Sequence, residues 1–488
     1  MTAQLCVTVT AGTTAELRRK RDAVVDADLV ELRLDTVSDP DVAGALNGRR
    51  RPVIVTCRPA WEGGQFRGAE EDRLRLLDEA LVRGAEFVDV EWRAGFGGLV
   101  DRAADRVVLS MHDFNGVPDD LVDRATAMRA TGAAVVKVAV AMHRLSDCLP
   151  LAALGAQSTH RHRAVLIGMG EFGLPTRVLA ARFGSQWTYA GELGTVGQLT
   201  PGELLDFYRF RSLTAVTGVY GLAGSPVTHS VSPAMHNAAF QATDVDAVYL
   251  PLRAADALDF ERFGRAFGIK GASVTIPFKV ALFERVDEVS AVARRIGAIN
   301  TIRAEGGRWV AGNTDAAAFL EPLRDRVSLA GKRVAVLGAG GAARAVAVAL
   351  SSTGAAITIH ARNVAQAEEV AMTIGAAVGG LQPAPGSWDV LVNCTPIGMY
   401  PRAGDTPVPA AQLTGELVYD LVYNPTTTRL MREAERAGCQ TIGGLEMLVA
   451  QAHEQFEWWT GIRPPIGIMK DAAVRRLAEF TRHEDHVV

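Results

Sequence analysis

Across the first 200 residues the apolar positions fall in short β-branched runs separated by stretches of helical spacing. Eight runs stand out: QLCVTVT (4–10), DLVELRL (28–34), PVIVTC (52–57), EFVDVEW (86–92), RVVLSMH (106–112), AVVKVAV (134–140), AVLIGMG (164–170) and QWTYAGE (186–192). Runs that are apolar on both faces and alternate with amphipathic segments such as EEDRLRLLDEALVRGA predict parallel strands covered by helices. Eight such units predict a small (β/α)8 TIM barrel over residues 1–212. Beyond residue 213 the texture changes. GVYGLAG, AVYLPL, GASVTIPF and AINTIR read as further strands around a serine- and histidine-rich loop. GKRVAVLGAGGAARAVAVAL (331–350) then passes from an apolar strand through glycines into an alanine-rich helix, the opening of a dinucleotide fold. The expected class is α/β throughout. A barrel is followed by a catalytic lobe over 213–320, completed by helices within 446–482, and by a Rossmann lobe over 321–445.

Composition narrows the function classes. The 488 residues are 48% apolar and 22% charged with a net charge of -4, which leaves no electrostatic footprint for nucleic acid. No run reaches the ~18 apolar residues of a membrane span. The start, MTAQLCVTVT, has no basic and long apolar signal-peptide pattern. Cys6, Cys57, Cys148, Cys394 and Cys439 show neither paired nor metal-finger spacing, so a reducing compartment is expected. These features predict a large cytoplasmic α/β enzyme and show no metal-ligand spacing. They leave its oligomeric state open.

The first half carries charge where a barrel interior makes charge expensive. Lys137 interrupts the apolar run AAVVKVAVAM, and only six of the 51 basic residues are lysines. Desolvation shifts such an amine toward neutrality and makes it a usable nucleophile. A lysine at a strand end, reaching solvent, would give the same pattern. Its company favours chemistry. Glu31 and Arg33 alternate in VELRLD and share one strand face. Arg58 and Glu62 follow the third strand, Glu91 closes the fourth, His112 closes the fifth, Arg177 follows the seventh and Gln198 the eighth. Barrel active sites are built at these strand ends.

VELRLD, CRPAWEGGQ, SMHDF, VVKVAV and MGEFGLPTR, in that order, resemble the motifs of type I 3-dehydroquinate dehydratase. The resemblance implies that Lys137 forms a Schiff base with the C3 ketone of 3-dehydroquinate. It implies that His112 removes the C2 proton and later protonates the leaving C1 hydroxyl, with Glu62 as its orienting partner. Arg177 matches the arginine that fixes the substrate carboxylate, and Glu31, Arg33, Arg58 and Gln198 match hydroxyl-binding positions. The chain departs from the family at Gly194, where a serine is usual.

In the second half Gly338, Gly340 and Ala343 form a Gly-x-Gly-x-x-Ala turn directly after a strand and opening a helix. This is the context in which a pyrophosphate sits on a helix N-terminus. The next strand, AAITIHARN, ends in Arg362 rather than an acid, which favours NADP over NAD. GSPVTHSVSPAMHN, GASVTIPFK, GAINTI, GNTDAAAF, NCTPIGM, DLVYNP and GLEMLVAQA together resemble shikimate dehydrogenase. By that resemblance Ser230 and Ser232 bind the substrate carboxylate, and Thr275, Asn300 and Gln451 hold ring hydroxyls. Lys279 and Asp315 are the catalytic pair. Gly338, Ala339, Gly340, Gly341, Ala342, Arg362, Asn393, Thr395 and Gly444 match the cofactor side, and Tyr423 lies with Asn393 at the nicotinamide and substrate end. Two positions depart: Ser273 stands where the family has asparagine, and Ala361-Arg362-Asn363 replaces an N-R-T pattern.

Both resemblances together are similar to the bifunctional dehydroquinate dehydratase/shikimate dehydrogenases of plant type. The expected sequence is dehydration of 3-dehydroquinate to 3-dehydroshikimate, then NADPH reduction to shikimate, a route to aromatic amino acids. Two alternatives remain open in the sequence. One is an NAD-dependent quinate dehydrogenase fusion. The other is a non-enzymatic metabolite sensor on the same folds.

Overall fold

A computed structural model describes residues 2–158, 163–228 and 230–484; His229, in the serine- and histidine-rich loop, lies outside them. Two compact units emerge. The first runs to Gly218 and includes Leu252–Phe267, and the second comprises Val219–Pro251 and the chain from Gly268 on.

The first unit is built on eight parallel strands: β1 (Gln4–Val9), β2 (Leu29–Arg33), β3 (Val53–Thr56), β4 (Phe87–Glu91), β5 (Val107–Asp113), β6 (Val135–Ala141), β7 (Arg163–Met169) and β8 (Trp187–Ala190). They hydrogen-bond in the order β7-β6-β5-β4-β3-β2-β1-β8. The ring closes through a single parallel bridge between Ala164 and Ser185, flanked by the bond from Gln186 N to Ala164 O at 2.7 Å. This is the TIM barrel that the eight apolar runs predict. Its strands are apolar on both faces because helices cover the outside while side chains fill the inside. Ile54, Val108, Val165, Ile167 and Trp187 form part of that interior packing. The helix Ala257–Phe267 also belongs to this unit. Its buried Asp259 accepts hydrogen bonds from the backbone N of Leu145 and Ser146, both at 2.9 Å.

The second unit contains two six-stranded sheets. One has the order β10-β9-β11-β13-β14-β12, from β9 (Gly218–Gly224), β10 (Ala247–Arg253), β11 (Gly271–Val274), β12 (Glu288–Val289), β13 (Thr301–Glu305) and β14 (Arg308–Gly312). It is mixed, with β11 parallel to β9 and antiparallel to β13. The helices Ser232–Ala242, Gly444–Thr460 and Ile466–Glu484 supply the apolar side chains that pack with it, including Met235, Phe240, Phe456 and Met469. The strands β12 and β14 have no counterpart in the sequence reading. β12 is two residues long, and β14 (RWVAG) has too short an apolar run to signal a strand.

The other sheet is wholly parallel, β17-β16-β15-β18-β19-β20, from β15 (Arg333–Leu337), β16 (Ala356–His360), β17 (Ala377–Val378), β18 (Val390–Asn393), β19 (Leu417–Asp420) and β20 (Gln440–Gly443). Renumbered from its first strand, that order is the 3-2-1-4-5-6 of a Rossmann sheet, with its ligand crevice beyond the strand carboxyl ends where the order reverses. No helix among the described residues is long and apolar enough to cross a membrane.

Candidate active sites

Inside the barrel the charged side chains form one alternating network. Lys137, in the middle of β6, is 6% exposed and therefore does not reach solvent. Its Nζ donates to Asp89 Oδ2 at 3.0 Å, lies 3.6 Å from Glu31 Oε1 and stands 4.3 Å over the Tyr189 ring. Asp89 also accepts from Ser110 Oγ at 2.6 Å and pairs with Arg58 at 2.9 Å. Arg58 continues to Glu91 at 2.7 Å, and Glu91 pairs with Arg73, which enters from the helix Glu70–Val82. Lys137, Arg58 and Arg73 thus alternate with Glu31, Asp89 and Glu91. This pairing offsets the cost of burying the six charges. Burial pushes the Asp89 carboxyl up, but Arg58 and Lys137 outweigh it and hold the group below its ordinary range.

Arg33 is not Glu31's partner. It forms a two-pronged bond to Asp35, with both contacts at 2.8 Å. Glu31 instead accepts from Thr8 Oγ1 and Thr56 Oγ1, each at 2.9 Å, and Gln198 Nε2 reaches Thr8 Oγ1 at 3.4 Å. At the end of β5, Glu62 Oε1 accepts from the His112 backbone N at 2.9 Å and faces its Nδ1 at 3.0 Å. An ionised Glu62 assigns the ring proton to Nδ1 and leaves Nε2 with its lone pair. Burial, with the positive charges of Arg58 and Lys137, pushes the His112 pKa well below its ordinary value. Burial also pushes Glu62 up to about 7, against the pull of Arg58 and with the help of Glu91.

Arg177 differs from the other cations of the barrel. It is 2% exposed, its Nε has no partner, and its one described hydrogen bond runs to Val196 O at 2.7 Å. Burial alone lowers its pKa to about 10. A buried guanidinium fork without a carboxylate suits an external one. Gly194 lies in the turn Gly194–Val196, and a Cβ there would meet nothing within 4 Å, so the serine usual in the family would fit without displacement.

In the second unit Lys279 Nζ pairs directly with Asp315, the first residue of the helix Asp315–Leu320. Asn300 Nδ2 donates to Asp315 Oδ1 at 2.8 Å and to Thr314 Oγ1 at 2.9 Å, while its Oδ1 accepts from Thr314 N at 2.8 Å. Both amide hydrogens of Asn300 are therefore engaged within the protein. Thr275 sits against β9 because Gly224 has no Cβ: one built there would come 2.4 Å from Thr275 Cγ2. Ser230 Oγ accepts from Ser232 N at 3.2 Å and hydrogen-bonds the Tyr423 side chain. Gln451 is buried, its Nε2 donating to Leu448 O at 2.8 Å.

The Rossmann lobe turns from β15 into the helix Gly341–Leu350 through Gly338, at φ 110°, with Ala339 buried and Ala342 in the first turn. Around Gly340 a Cβ would meet nothing within 4 Å. Open space at a helix N-terminus whose first N–H groups lack intrahelical acceptors fits a pyrophosphate. A Cβ on Gly341 would come 3.1 Å from Lys279 Cδ, so the lysine stem lies against that first turn. Arg362 is exposed just beyond β16, and no hydrogen bond or ion pair of the described residues engages it, which fits a 2′-phosphate. Asn393 donates to Asp420 Oδ1 at 2.9 Å and accepts from Thr395 N at 3.0 Å and Thr395 Oγ1 at 2.7 Å. Gly444 opens its helix, and a Cβ added to it would come 2.2 Å from Leu421 O, so only glycine fits against that carbonyl.

Family models match three stretches: type I 3-dehydroquinase over residues 5–215, the shikimate dehydrogenase substrate binding domain over 222–302, and the shikimate 5'-dehydrogenase C-terminal domain over 444–474. The chain is 36% identical over 477 residues to the chloroplastic bifunctional 3-dehydroquinate dehydratase/shikimate dehydrogenase of Arabidopsis thaliana, covering 90% of this chain and 78% of the plant protein. The chain belongs to this bifunctional family. Its second half is 42% identical over 285 residues to the NADP(+) shikimate dehydrogenase of Methanothermobacter thermautotrophicus, covering 54% of this chain and 99% of that protein. A solved shikimate dehydrogenase in complex with NADP+ matches with a TM-score of 0.52 and 37% identity, over 54% of this chain and 97% of that one.

Within this family assignment, three residues of the two sites went unread in the sequence. Asp89 had a signal: it alternates with Glu91 in FVDVE as Glu31 does with Arg33, and an acid facing a barrel interior needs a cation. Arg73 had none, since an arginine in EEDRLRLL reads as a solvated helix face. Asp420, buried and pushed up by burial, accepts from Asn393, Val422 N and Thr428 Oγ1 and so shapes the loop beyond β19. Among the described residues no group of three or more His, Cys, Asp or Glu could hold a metal ion.

Proposed function

We propose that this bifunctional enzyme dehydrates 3-dehydroquinate in the barrel and reduces the resulting 3-dehydroshikimate to shikimate in the second unit. The observation that carries the reading is a lysine amine in each unit held by a carboxylate: the buried Lys137 by Asp89, and the partly exposed Lys279 by Asp315. We assign 1–212 to the dehydratase, 213–320 with 446–482 to the shikimate-binding lobe, and 321–445 to the nucleotide lobe. The five cysteines, all unpaired, support a cytoplasmic setting.

In the dehydratase, the Lys137 amine adds to the C3 carbonyl of the substrate and water leaves, giving an iminium. His112 Nε2 takes the C2 proton, and the electrons of that bond flow into the iminium as an enamine. As the enamine re-forms the iminium, the C1–O bond breaks and His112 returns its proton to the leaving hydroxyl. Hydrolysis then frees Lys137 and the product. Glu62 steadies the imidazolium formed in between. Arg177 binds the substrate carboxylate, while Glu31, Arg33, Arg58 and Gln198 surround the hydroxyls.

In the dehydrogenase, NADPH supplies a hydride when bound. Gly338–Ala342 would hold its pyrophosphate and Arg362 its 2′-phosphate, with Asn393, Thr395 and Gly444 shaping the floor. Ser230, Ser232 and Tyr423 would take the substrate carboxylate, and Thr275, Asn300 and Gln451 the ring hydroxyls. Lys279 gives a proton to the C3 oxygen as it becomes an alcohol, and Asp315 holds that ammonium in line.

A coupled assay tests both steps. With 3-dehydroquinate and NADPH the protein forms shikimate; Lys137→Ala stops at the substrate, and Lys279→Ala accumulates 3-dehydroshikimate. Borohydride added with 3-dehydroquinate leaves a covalent adduct on Lys137. An untrappable native protein, or NADPH oxidation that survives Lys279→Ala unchanged, would sink the corresponding half.

A further inference from the structure

One fully buried side chain outside the assigned machinery reaches toward the catalytic carboxylate of the second unit. Gln455 is 0% exposed and lies one helical turn beyond Gln451 on the helix Gly444–Thr460. Its Oε1 accepts from Ser273 Oγ on β11 at 2.5 Å, and its Nε2 donates to the Asn300 carbonyl O at 3.0 Å. That carbonyl also accepts from Val274 N at 2.7 Å. Asn300 in turn spans Thr314 and Asp315 through its side chain, and Asp315 holds Lys279. Donors and acceptors therefore run from the Ser273 hydroxyl through the Gln455 amide to the Asn300 carbonyl, and the Asn300 side chain donates in turn to Asp315, which also accepts from Lys279. Chains of this kind in a low-dielectric interior fix one geometry, because any misaligned member leaves a buried polar group unpaired.

We propose that Gln455 is a positioning residue for the Lys279–Asp315 pair, acting through Asn300 and matched to Ser273. It touches none of the reacting atoms. The short Ser273 side chain leaves its amide room to bridge β11 and the Asn300 carbonyl just before β13. A longer residue at 273, such as the asparagine usual in the family, would meet Gln455 Oε1 where the serine hydroxyl already stands 2.5 Å away. The proposal rests on the dehydrogenase reading above.

Two variants separate positioning from simple packing. Gln455→Met keeps the bulk but removes both hydrogen bonds, leaving the Ser273 hydroxyl buried and unpaired. Ser273→Ala with Gln455→Met removes that orphan as well. Shikimate oxidation with NADP+ is followed for both, with thermal unfolding and a pH profile of kcat. Positioning predicts a fall of about tenfold in kcat for both variants, with KM for NADP+ within about twofold and a displaced pH profile. The double variant recovers its Tm but not its kcat. Recovery of kcat together with Tm in the double variant, or an unchanged kcat in Gln455→Met, would overturn it. Loss of shikimate oxidation in the native protein would instead remove the dehydrogenase reading.

Discussion

Lys137 Nζ lies 3.0 Å from Asp89 Oδ2, and the same carboxylate holds Arg58 at 2.9 Å, so one buried acid anchors two of the barrel's cations. Replacing it by a neutral isostere leaves three buried cations facing two carboxylates. Breaking a buried pair by removing one partner costs about 3–5 kcal/mol. Asp89→Asn is expected to lose stability of that order in chemical denaturation of the barrel and to lower dehydratase kcat. Full activity with unchanged stability would show that Glu31 and Ser110 suffice to hold Lys137 and Arg58.

The Glu62 carboxyl, pushed up to about 7 by burial, gives the dehydratase a pH signature. Only the ionised carboxylate accepts the Nδ1 proton and steadies an imidazolium, so activity rises as pH increases through about 7. In stability the sign is opposite. A carboxyl raised in the folded state stabilises it fully below the unfolded value, and that contribution fades as pH rises toward 7. Glu62→Gln keeps an oxygen to accept from the His112 backbone N but carries no charge. It should lower kcat roughly 10²-fold and abolish the rising limb near pH 7. A limb that persists in the variant assigns the titration to another group.

Arg362 is exposed and unengaged beyond β16, where a guanidinium can meet a 2′-phosphate. A hydrogen bond to a charged group contributes ~1.5–3 kcal/mol, or roughly a 10–100-fold change in affinity. Arg362→Ala is expected to raise KM for NADP+ by that factor and leave KM for NAD+ nearly unchanged. Equal effects on both cofactors would place the phosphate elsewhere.

His236 predicts acid lability in the second unit. It is fully buried, stacked at 4.5 Å on Tyr249 and 5.0 Å from Trp459, with neither ring nitrogen partnered, and burial lowers its pKa to about 3. Below pH 6.5 the unfolded state takes a proton that the folded state refuses. Stability from this group is therefore lost at ~1.4 kcal/mol per pH unit as pH falls from 6.5 toward 3. His236→Phe keeps the ring stack and removes the titration, flattening this part of the pH–stability curve while leaving neutral stability equal or higher. A parallel curve in the variant would locate the lability in other groups.

The two sites were legible to different depths. Lys137, Glu31 and Arg58 could be read because charge interrupting an apolar strand is costly, and alternation assigns its face. Lys279 and Asp315 were legible as a pair only through the family resemblance, since 36 residues and three strands of chain separate them and no local pattern joins them. Arg33 shows the limit of the strand pattern. It shares a face with Glu31, yet its planar fork matches Asp35 two residues on and leaves Glu31 to Lys137 and the threonines.

By itself the sequence determined the eight barrel strands, the opening unit of the Rossmann lobe, and the residue types able to do imine and hydride-transfer chemistry. These follow from periodicity and local turn chemistry, which act between near neighbours. Only the tertiary structure decided who pairs with whom. It made Asp89 rather than solvent the partner of Lys137, brought Arg73 inward to Glu91, left Arg177 without an acid, and joined Ser273 to Gln455 across 182 residues. Pairing of buried charges and amides depends on distances of a few tenths of an ångström between distant strands and helices. Those distances are set by packing of the whole core, which no local pattern encodes.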